Sequence, residues 1–254
     1  MEMPINRFKR QLAQGAPQMG FWCMLGAPMA TEILARSGID WVLIDTEHAP
    51  NELPDVYHHL RAVQGSAASA LIRPPWNDTV AMKRLLDAGV QSFIIPYVQS
   101  AEEAAAAVAA TRYPPQGVRG VAATSRAAGY GAVPGYLARA AQEIAVVVQI
   151  ESETAVANLE AILAVEGVDA VFVGPSDLAA SYGYLGNPDA AEVQRVIADI
   201  IGRVKAAQGR AGILARSADD ARACLDLGYH FVSIASDLNF ITAGAAARLA
   251  ALKG

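Results

Sequence analysis

Short runs of β-branched and aromatic residues recur along the chain, each followed by a longer stretch in which apolar side chains return every three or four positions. This alternation predicts parallel strands joined by crossover helices, because a helix is the usual way to bring a chain back to the same end of a parallel sheet. The runs are MGFWCML (19–25), WVLID (41–45), SALIR (69–73), SFIIP (92–96), IAVVVQI (144–150), AVFVG (170–174), AGIL (211–214) and FVSIA (231–235). Helical patterns follow at 28–37, 53–64, 79–88, 100–111, 154–164, 189–208, 217–227 and 240–252. Eight such units in 254 residues fit a single-domain (β/α)8 TIM barrel over residues 1–254 better than a doubly wound sheet, since barrel size and unit number agree. Ahead of the first strand, MEMPINRFKRQLAQG reads as an amphipathic N-terminal helix. No linker interrupts the pattern, and the Ala-rich AEEAAAAVAATR is most simply a helix filled with the best helix former.

Composition narrows the class of partner. The formal net charge is −5 with no run of Lys or Arg, so there is no footprint for nucleic acid or anionic lipid. With 53% hydrophobic residues and a mean hydropathy of +0.25, the chain can bury one large core. No stretch is apolar for long enough to span a membrane. Cys23 and Cys224 lie far apart in apolar segments and read as buried thiols of a reducing compartment. A soluble cytoplasmic protein is the expectation.

One long irregular stretch, 112–136, falls between the fourth helix and the fifth strand. Connections of this length in compact domains are usually functional or disordered, and Arg119, Arg126, Tyr130 and several glycines favour a binding loop.

In this barrel, catalytic groups sit where strands end, on the C-terminal face. Glu151 ends the fifth strand in VVVQIESETAVANL, and Asp177 follows the sixth in DAVFVGPSDLAASYG. Two carboxylates in one apolar mouth repel unless a cation lies between them or one holds a proton. Oxygen ligands without a His pair or a Cys motif suit Mg2+, Mn2+ or Co2+ rather than structural zinc. The alternative is that both acids cap the helices that follow. Gly174 lets backbone approach a ligand, and the amides of Ser176 and Asp177 open a helix, which suits a small carboxylate. A 2-oxo acid would offer such a metal one carboxylate and one keto oxygen.

Arg73 closes the third strand in LIRPPWND, where two prolines fix the turn. Its guanidinium could stabilise an enolate, or pair with an acid for structural reasons. His48, in IDTEHAP, is the best placed of the histidines for general base work, with Asp45 and Trp22 at the same rim. His58 and His59 lie within a helix as surface or packing residues, and His230 precedes a strand at the wrong end. Lys9, Lys83, Lys205 and Lys253 all fall in helical or terminal segments, so a Schiff base has no nucleophile where the barrel needs one. The turns LARSADD and ASDLN lack the glycine pair of a phosphate-binding barrel.

Together WVLIDTEHAPN, IRPPWND, RYPPQGVRG, VQIESETAVANL and VFVGPSDLAASYG resemble the HpcH/HpaI family of class II pyruvate aldolases over nearly the whole chain, most of all its 4-hydroxy-2-oxoheptanedioate branch of aromatic-compound catabolism. The resemblance implies that Glu151 and Asp177 bind the divalent metal and that no organic cofactor is needed. It implies that Arg73 stabilises the pyruvate enolate, that Gly174, Pro175, Ser176 and Asp177 receive the pyruvate carboxylate, and that Asp45 supports the site. Trp22 and Leu214 would line the aldehyde pocket, and His48 would move protons with Asp87 as its partner. Asp87 lies at the end of the third barrel helix, and a helix of about ten residues is about 15 Å long, so a neighbouring subunit must supply it. This agrees with a homohexamer, a trimer of dimers, as the resemblance implies.

The expected activity is reversible, metal-dependent aldol cleavage of a 4-hydroxy-2-oxo acid to pyruvate and an aldehyde. Cleavage of a 2-keto-3-deoxy sugar acid is the alternative, as is an acyl-CoA lyase of the citrate lyase beta type or a metabolite-binding protein without catalysis. The final helix, NFITAGAAARLAALKG, could pack at home or swap to a neighbour.

Overall fold

The computed structural model describes residues 1–253 and forms a closed parallel barrel in which every strand pairs with its neighbours in sequence and the eighth with the first. A helix α1 (Arg7–Gln14) precedes β1 (Gln18–Cys23). Then come α2 (Pro28–Ala35), β2 (Trp41–Asp45), α3 (Leu53–Val63), β3 (Ser69–Arg73), α4 (Thr79–Ala88), β4 (Ser92–Ile95) and α5 (Ala101–Thr111). The second half runs α6 (Tyr136–Arg139), β5 (Ala145–Ile150), α7 (Glu153–Ala157), α8 (Leu159–Leu163), β6 (Ala170–Val173), α9 (Pro175–Ser181) and α10 (Ala191–Ala206). It closes with β7 (Ala211–Leu214), α11 (Ala218–Leu227), β8 (Phe231–Ser236) and α12 (Asp237–Lys253).

Strand periodicity divides the core in two. Side chains of one parity point into the barrel, where Trp22, Trp41, Leu43, Leu71, Ile94, Val147, Phe172 and Phe231 pack together. Those of the other parity, such as Ile44, Ile72, Val146, Val148, Val171 and Val173, meet the helices. The interior is crowded enough that a Cβ on Gly20 would lie 2.0 Å from the Trp41 indole, so β1 passes that ring only as glycine. The barrel floor is closed by α1, whose Phe8 and Leu12 join the interior cluster, with Phe8 edge-on to Phe231 at 5.2 Å. Asn6 fixes the entry to α1: its side chain accepts from Lys9 N–H at 2.9 Å and donates to the Gln91 carbonyl at 2.9 Å.

The elements expected from the pattern are present, with two differences. A single helix expected at 154–164 is divided into α7 and α8 at Asn158, whose Nδ2 donates to the Gln99 carbonyl at 2.8 Å and ties the segment to the loop after β4. The last helix begins at Asp237, directly at the end of β8, because the buried Asp237 carboxylate accepts from the amides of Met24 and Leu25. Beyond its first turn α12 is exposed, although Phe240 meets Phe21 edge-on at 5.0 Å. No helix among the described residues is long and apolar enough to cross a membrane.

Candidate active site

Inward parity carries on past the strand ends and brings the polar residues together. On β2 the inward series Trp41, Leu43 is continued by Asp45; on β3, Leu71 is followed by Arg73; on β5, Val147 is followed by Gln149 and Glu151. Asp45 is fully buried and Arg73 is 8% exposed. They form a bidentate pair, Arg73 Nε to Asp45 Oδ1 at 2.9 Å and Nη2 to Oδ2 at 2.6 Å. The guanidinium also lies 4.9 Å from the Trp22 ring centroid, and Trp22 Nε1 donates to Asp45 Oδ2 at 3.2 Å. Burial pushes the Asp45 carboxyl up, but the hydrogen bonds and charge of Arg73 more than offset it and hold the group below its usual range. The loop after β2 is braced from beneath by a buried chain in which Thr31 Oγ1 meets His59 Nδ1, His59 Nε2 meets Asn51, and Asn51 Nδ2 donates to the Asp45 carbonyl. His59 is therefore a packing residue, while His58 is exposed.

Glu151 is 3% exposed. One carboxylate oxygen accepts from the Tyr97 amide at 2.7 Å and the other meets Gln149 Nε2. Tyr97 holds that amide in place with a φ of 56°, a conformation that costs energy for a residue with a Cβ. A Cβ on Gly174 would lie 2.6 Å from Glu151 Oε2, so the residue that follows β6 must be glycine for this carboxylate to occupy its position. Burial, reinforced by the negative charges of Asp177 and Glu47, pushes the Glu151 carboxyl up to about 7 against the pull of the Tyr97 amide and Arg73.

Asp177 sits on the first turn of α9, where Gly174 holds the cap position without a side-chain bond. Ser152, not Glu151, caps α7, accepting from the Ala155 amide at 3.1 Å. The reading of both acids as helix caps is thereby set aside. Asp177 instead lines a cavity of about 810 Å³ whose wall includes Trp22, His48, Arg73, Gln149, Phe172 and Leu214, and Glu151 lies behind that wall, bonded to Gln149 and within reach of the Asp177 charge. Among the described residues no third His, Cys, Asp or Glu joins them as a direct ligand cluster. The donor set still fits a hard dication. A buried carboxylate whose charge is opposed by two like charges gains most from a cation, and Gln149 Oε1 is buried beside it without a hydrogen-bond partner.

His48 stands at the rim with its side chain 60% exposed, Nε2 lying 3.8 Å from Glu47 Oε1. Glu47 in turn pairs in charge with Arg73, Oε2 lying 3.1 Å from Nη1, which makes it a bridge between the expected base and the expected enolate stabiliser. Asp87 lies elsewhere, near the end of α4 at the barrel floor, where the fully buried Arg119 reaches it at 3.3 Å and stacks on Tyr113 at 4.4 Å. Within one chain His48 and Asp87 are thus on opposite ends of the barrel. The long loop 112–136 goes to the same floor, since Arg126 donates to the Ala88 carbonyl and Ala127 and Tyr130 line a cavity with Ser69 and Ser92, the first residues of β3 and β4. It is not a wall of the mouth cavity in this chain. His230 is at the floor as expected, accepting from the Ala211 amide. No lysine lines the mouth cavity.

Three contributors escape a reading of single residues. Glu47 and Gln149 are legible only through parity, each two positions from a residue already chosen. Tyr97 acts through its backbone and leaves no side-chain signature.

An acid pair beside a buried arginine at the mouth of this barrel matches a known lineage: the HpcH/HpaI aldolase/citrate lyase family model covers residues 18–243. The chain belongs to that family. It is 49% identical over 247 residues to the pyruvate aldolase of Rhizobium etli, with 97% of each chain covered. It is 48% identical over 233 residues to the 5-keto-4-deoxy-D-glucarate aldolase of Klebsiella pneumoniae, covering 92% of this chain and 91% of that one. Among solved structures, an HpcH/HpaI aldolase/citrate lyase family protein from Burkholderia cenocepacia superposes with a TM-score of 0.95 at 37% identity, covering 98% of this chain and all of the other. As an HpcH/HpaI family member the chain is an aldolase, a carbon–carbon lyase of the class II pyruvate aldolase kind, in a family generally dependent on a divalent metal.

Proposed function

We propose that this aldolase cleaves 2-keto-3-deoxy sugar acids reversibly to pyruvate and an aldehyde, with a 5-keto-4-deoxyaldarate as the leading substrate. The sugar-acid reading takes precedence over the heptanedioate reading because relatives at 48% identity are named for a keto-deoxy-glucarate. The observation that supports the chemistry is the buried Glu151 carboxylate held within reach of the Asp177 charge, beside a cavity lined by both Asp177 and Arg73.

Glu151 and Asp177 would hold the metal, Mg2+, Mn2+ or Co2+, with Gln149 orienting Glu151. Once bound, a dication supplies Lewis-acid polarisation of the keto group and carries part of the enolate charge. Arg73 has donors to spare for the same oxygen. Nε and one N–H of Nη2 are engaged by Asp45 while Nη1 faces the Glu47 charge at 3.1 Å, which leaves N–H donors on both terminal nitrogens uncommitted. Because Asp45 and Glu47 fix the plane, those donors need little reorganisation as charge develops. The amides of Ser176 and Asp177 would receive the pyruvate carboxylate, with Gly174 and Pro175 keeping the approach open. Trp22, Leu214 and Phe172 form the apolar wall against which the aldehyde carbons would lie.

His48 would take the proton from the hydroxyl on the carbon being released and return it in the condensation direction. Asp87 of a second copy would orient it, so the active unit is a homo-oligomer, with a hexamer as the expected form.

The test is a pyruvate-release assay with 5-keto-4-deoxy-D-glucarate and 4-hydroxy-2-oxoheptanedioate as competing substrates, plus malyl-CoA. A higher kcat/KM for the sugar acid supports the reading. Preference for the heptanedioate would restore the other branch, and turnover of the thioester alone would replace the aldolase reading.

A further inference from the structure

The mouth cavity has a second polar end that the pyruvate chemistry leaves without a task. Beyond β7, Arg216 lies on its wall, and so do Ser236 and Asn239 at the junction of β8 and α12.

Arg216 is held by one edge. Asp220 accepts from its Nε at 2.9 Å and its Nη2 at 3.0 Å, and also from the Arg216 backbone amide at 2.9 Å. Asp220 is fixed in turn because it lies in the first turn of α11, donating its amide to the capping Ser217 Oγ at 3.1 Å. The guanidinium therefore has a set plane, with Nη1 as the corner that Asp220 does not hold. The partner of Nη1 is Asp189, whose side chain is 73% exposed. An ion pair in water is weakly held and readily exchanged for another carboxylate.

Asn239 offers the complementary donor. Its Oδ1 accepts from both the amide of Ser236, at 3.0 Å, and the Ser236 hydroxyl, at 2.9 Å, which assigns the opposite side of the group to Nδ2. That nitrogen has no hydrogen-bond partner among the described residues. A guanidinium corner and an amide NH2 on one cavity wall complement a carboxylate, not a cation or a hydrocarbon.

We propose that Arg216 and Asn239 form a subsite for a carboxylate at the aldehyde end of the substrate. The inference deepens the aldolase reading and rests on it. The preferred substrate then carries an acid at both ends, with the 2-oxo acid at Glu151 and Asp177 and the second carboxylate at Arg216. Asp189 occupies the Nη1 corner of the guanidinium until that carboxylate displaces it. Arg216 selects the aldehyde and takes no part in making or breaking the carbon–carbon bond.

The experiment compares condensation of pyruvate with tartronate semialdehyde, an aldehyde acid, and with glyceraldehyde, a neutral aldehyde of similar size, in wild type, Arg216→Gln and Asp189→Asn. Wild type should prefer the acid. Arg216→Gln should reduce the ratio of kcat/KM values, acid over neutral, by about 10- to 100-fold, the usual range for losing a hydrogen bond to a charged group, chiefly through KM for the acid. Asp189→Asn should lower KM for the acid by removing the competitor. A ratio retained in Arg216→Gln, or an equal loss for both aldehydes, would overturn the subsite while leaving the aldolase reading intact. If wild type condensed neither aldehyde and exchanged no methyl protons of pyruvate, the aldolase reading would fail and the subsite with it.

Discussion

Arg73 and Asp45, both buried, share two hydrogen bonds of 2.9 and 2.6 Å at the barrel mouth. Their register explains the pairing: Asp45 and Arg73 are direct Cα partners on β2 and β3, at the last rung of the ladder. Lysine cannot reproduce the planar fork that grips both carboxylate oxygens. Arg73→Lys should therefore lower kcat by about 100-fold or more with the barrel intact by circular dichroism. Near-normal turnover in that variant would contradict the role given to Arg73.

The same pair sets an acid limit on stability. Because the folded-state pKa of Asp45 is lowered from 3.8, its contribution is complete above that value and is lost as pH falls through the folded pKa. Asp45→Asn should be less stable than wild type at neutral pH and lose less stability between about pH 4 and pH 2. Urea titrations across that range measure both slopes, and parallel slopes would show that Asp45 does not report on the pair.

The opposite positions of His48 and Asp87 predict a shared site. Chains carrying His48→Ala or Asp87→Ala should each be nearly inactive alone. Co-assembled, they should regain a fraction of wild-type activity, because some sites then contain both native residues. Mixed oligomers with no recovery would remove Asp87 from the mechanism. Arg119 should matter to that experiment through folding, as a buried cation whose carboxylate partner is Asp87.

At the floor, Phe8 is fully buried against Phe231, so Phe8→Ala should cost about 3 to 5 kcal/mol in chemical denaturation. A loss well under 1 kcal/mol would mean that α1 does not close the barrel.

The barrel was legible because its strands announce themselves as short apolar runs and its helices as amphipathic repeats, and both patterns are local. Glu151, Asp177, Arg73 and Asp45 were legible for a related reason: charged residues at the ends of buried strands have few places to go. Glu47 and Gln149 were harder to find, since neither residue type is unusual in a loop or strand, and only inward parity puts them beside the acids. The break at Asn158 and the loop 112–136 were not legible, because each depends on contacts with distant segments, Gln99 in one case and α4 in the other. The choice between the heptanedioate and sugar-acid branches stayed open in the sequence for a different reason. The recurring motifs fall around Glu151, Asp177 and Arg73, whereas the residues proposed to meet the aldehyde, Arg216 and Asn239 among them, lie outside any such motif.

The central claim is that Glu151 and Asp177 hold a dication that makes deprotonated pyruvate accessible. Exchange of the pyruvate methyl protons with D2O, followed by NMR, reads this step without any aldehyde present. Chelator-treated protein should exchange slowly, added Mn2+ or Mg2+ should restore the rate, and Glu151→Gln should stay slow at any metal concentration that saturates wild type. Rapid exchange in the chelated protein, or in Glu151→Gln, would contradict the account.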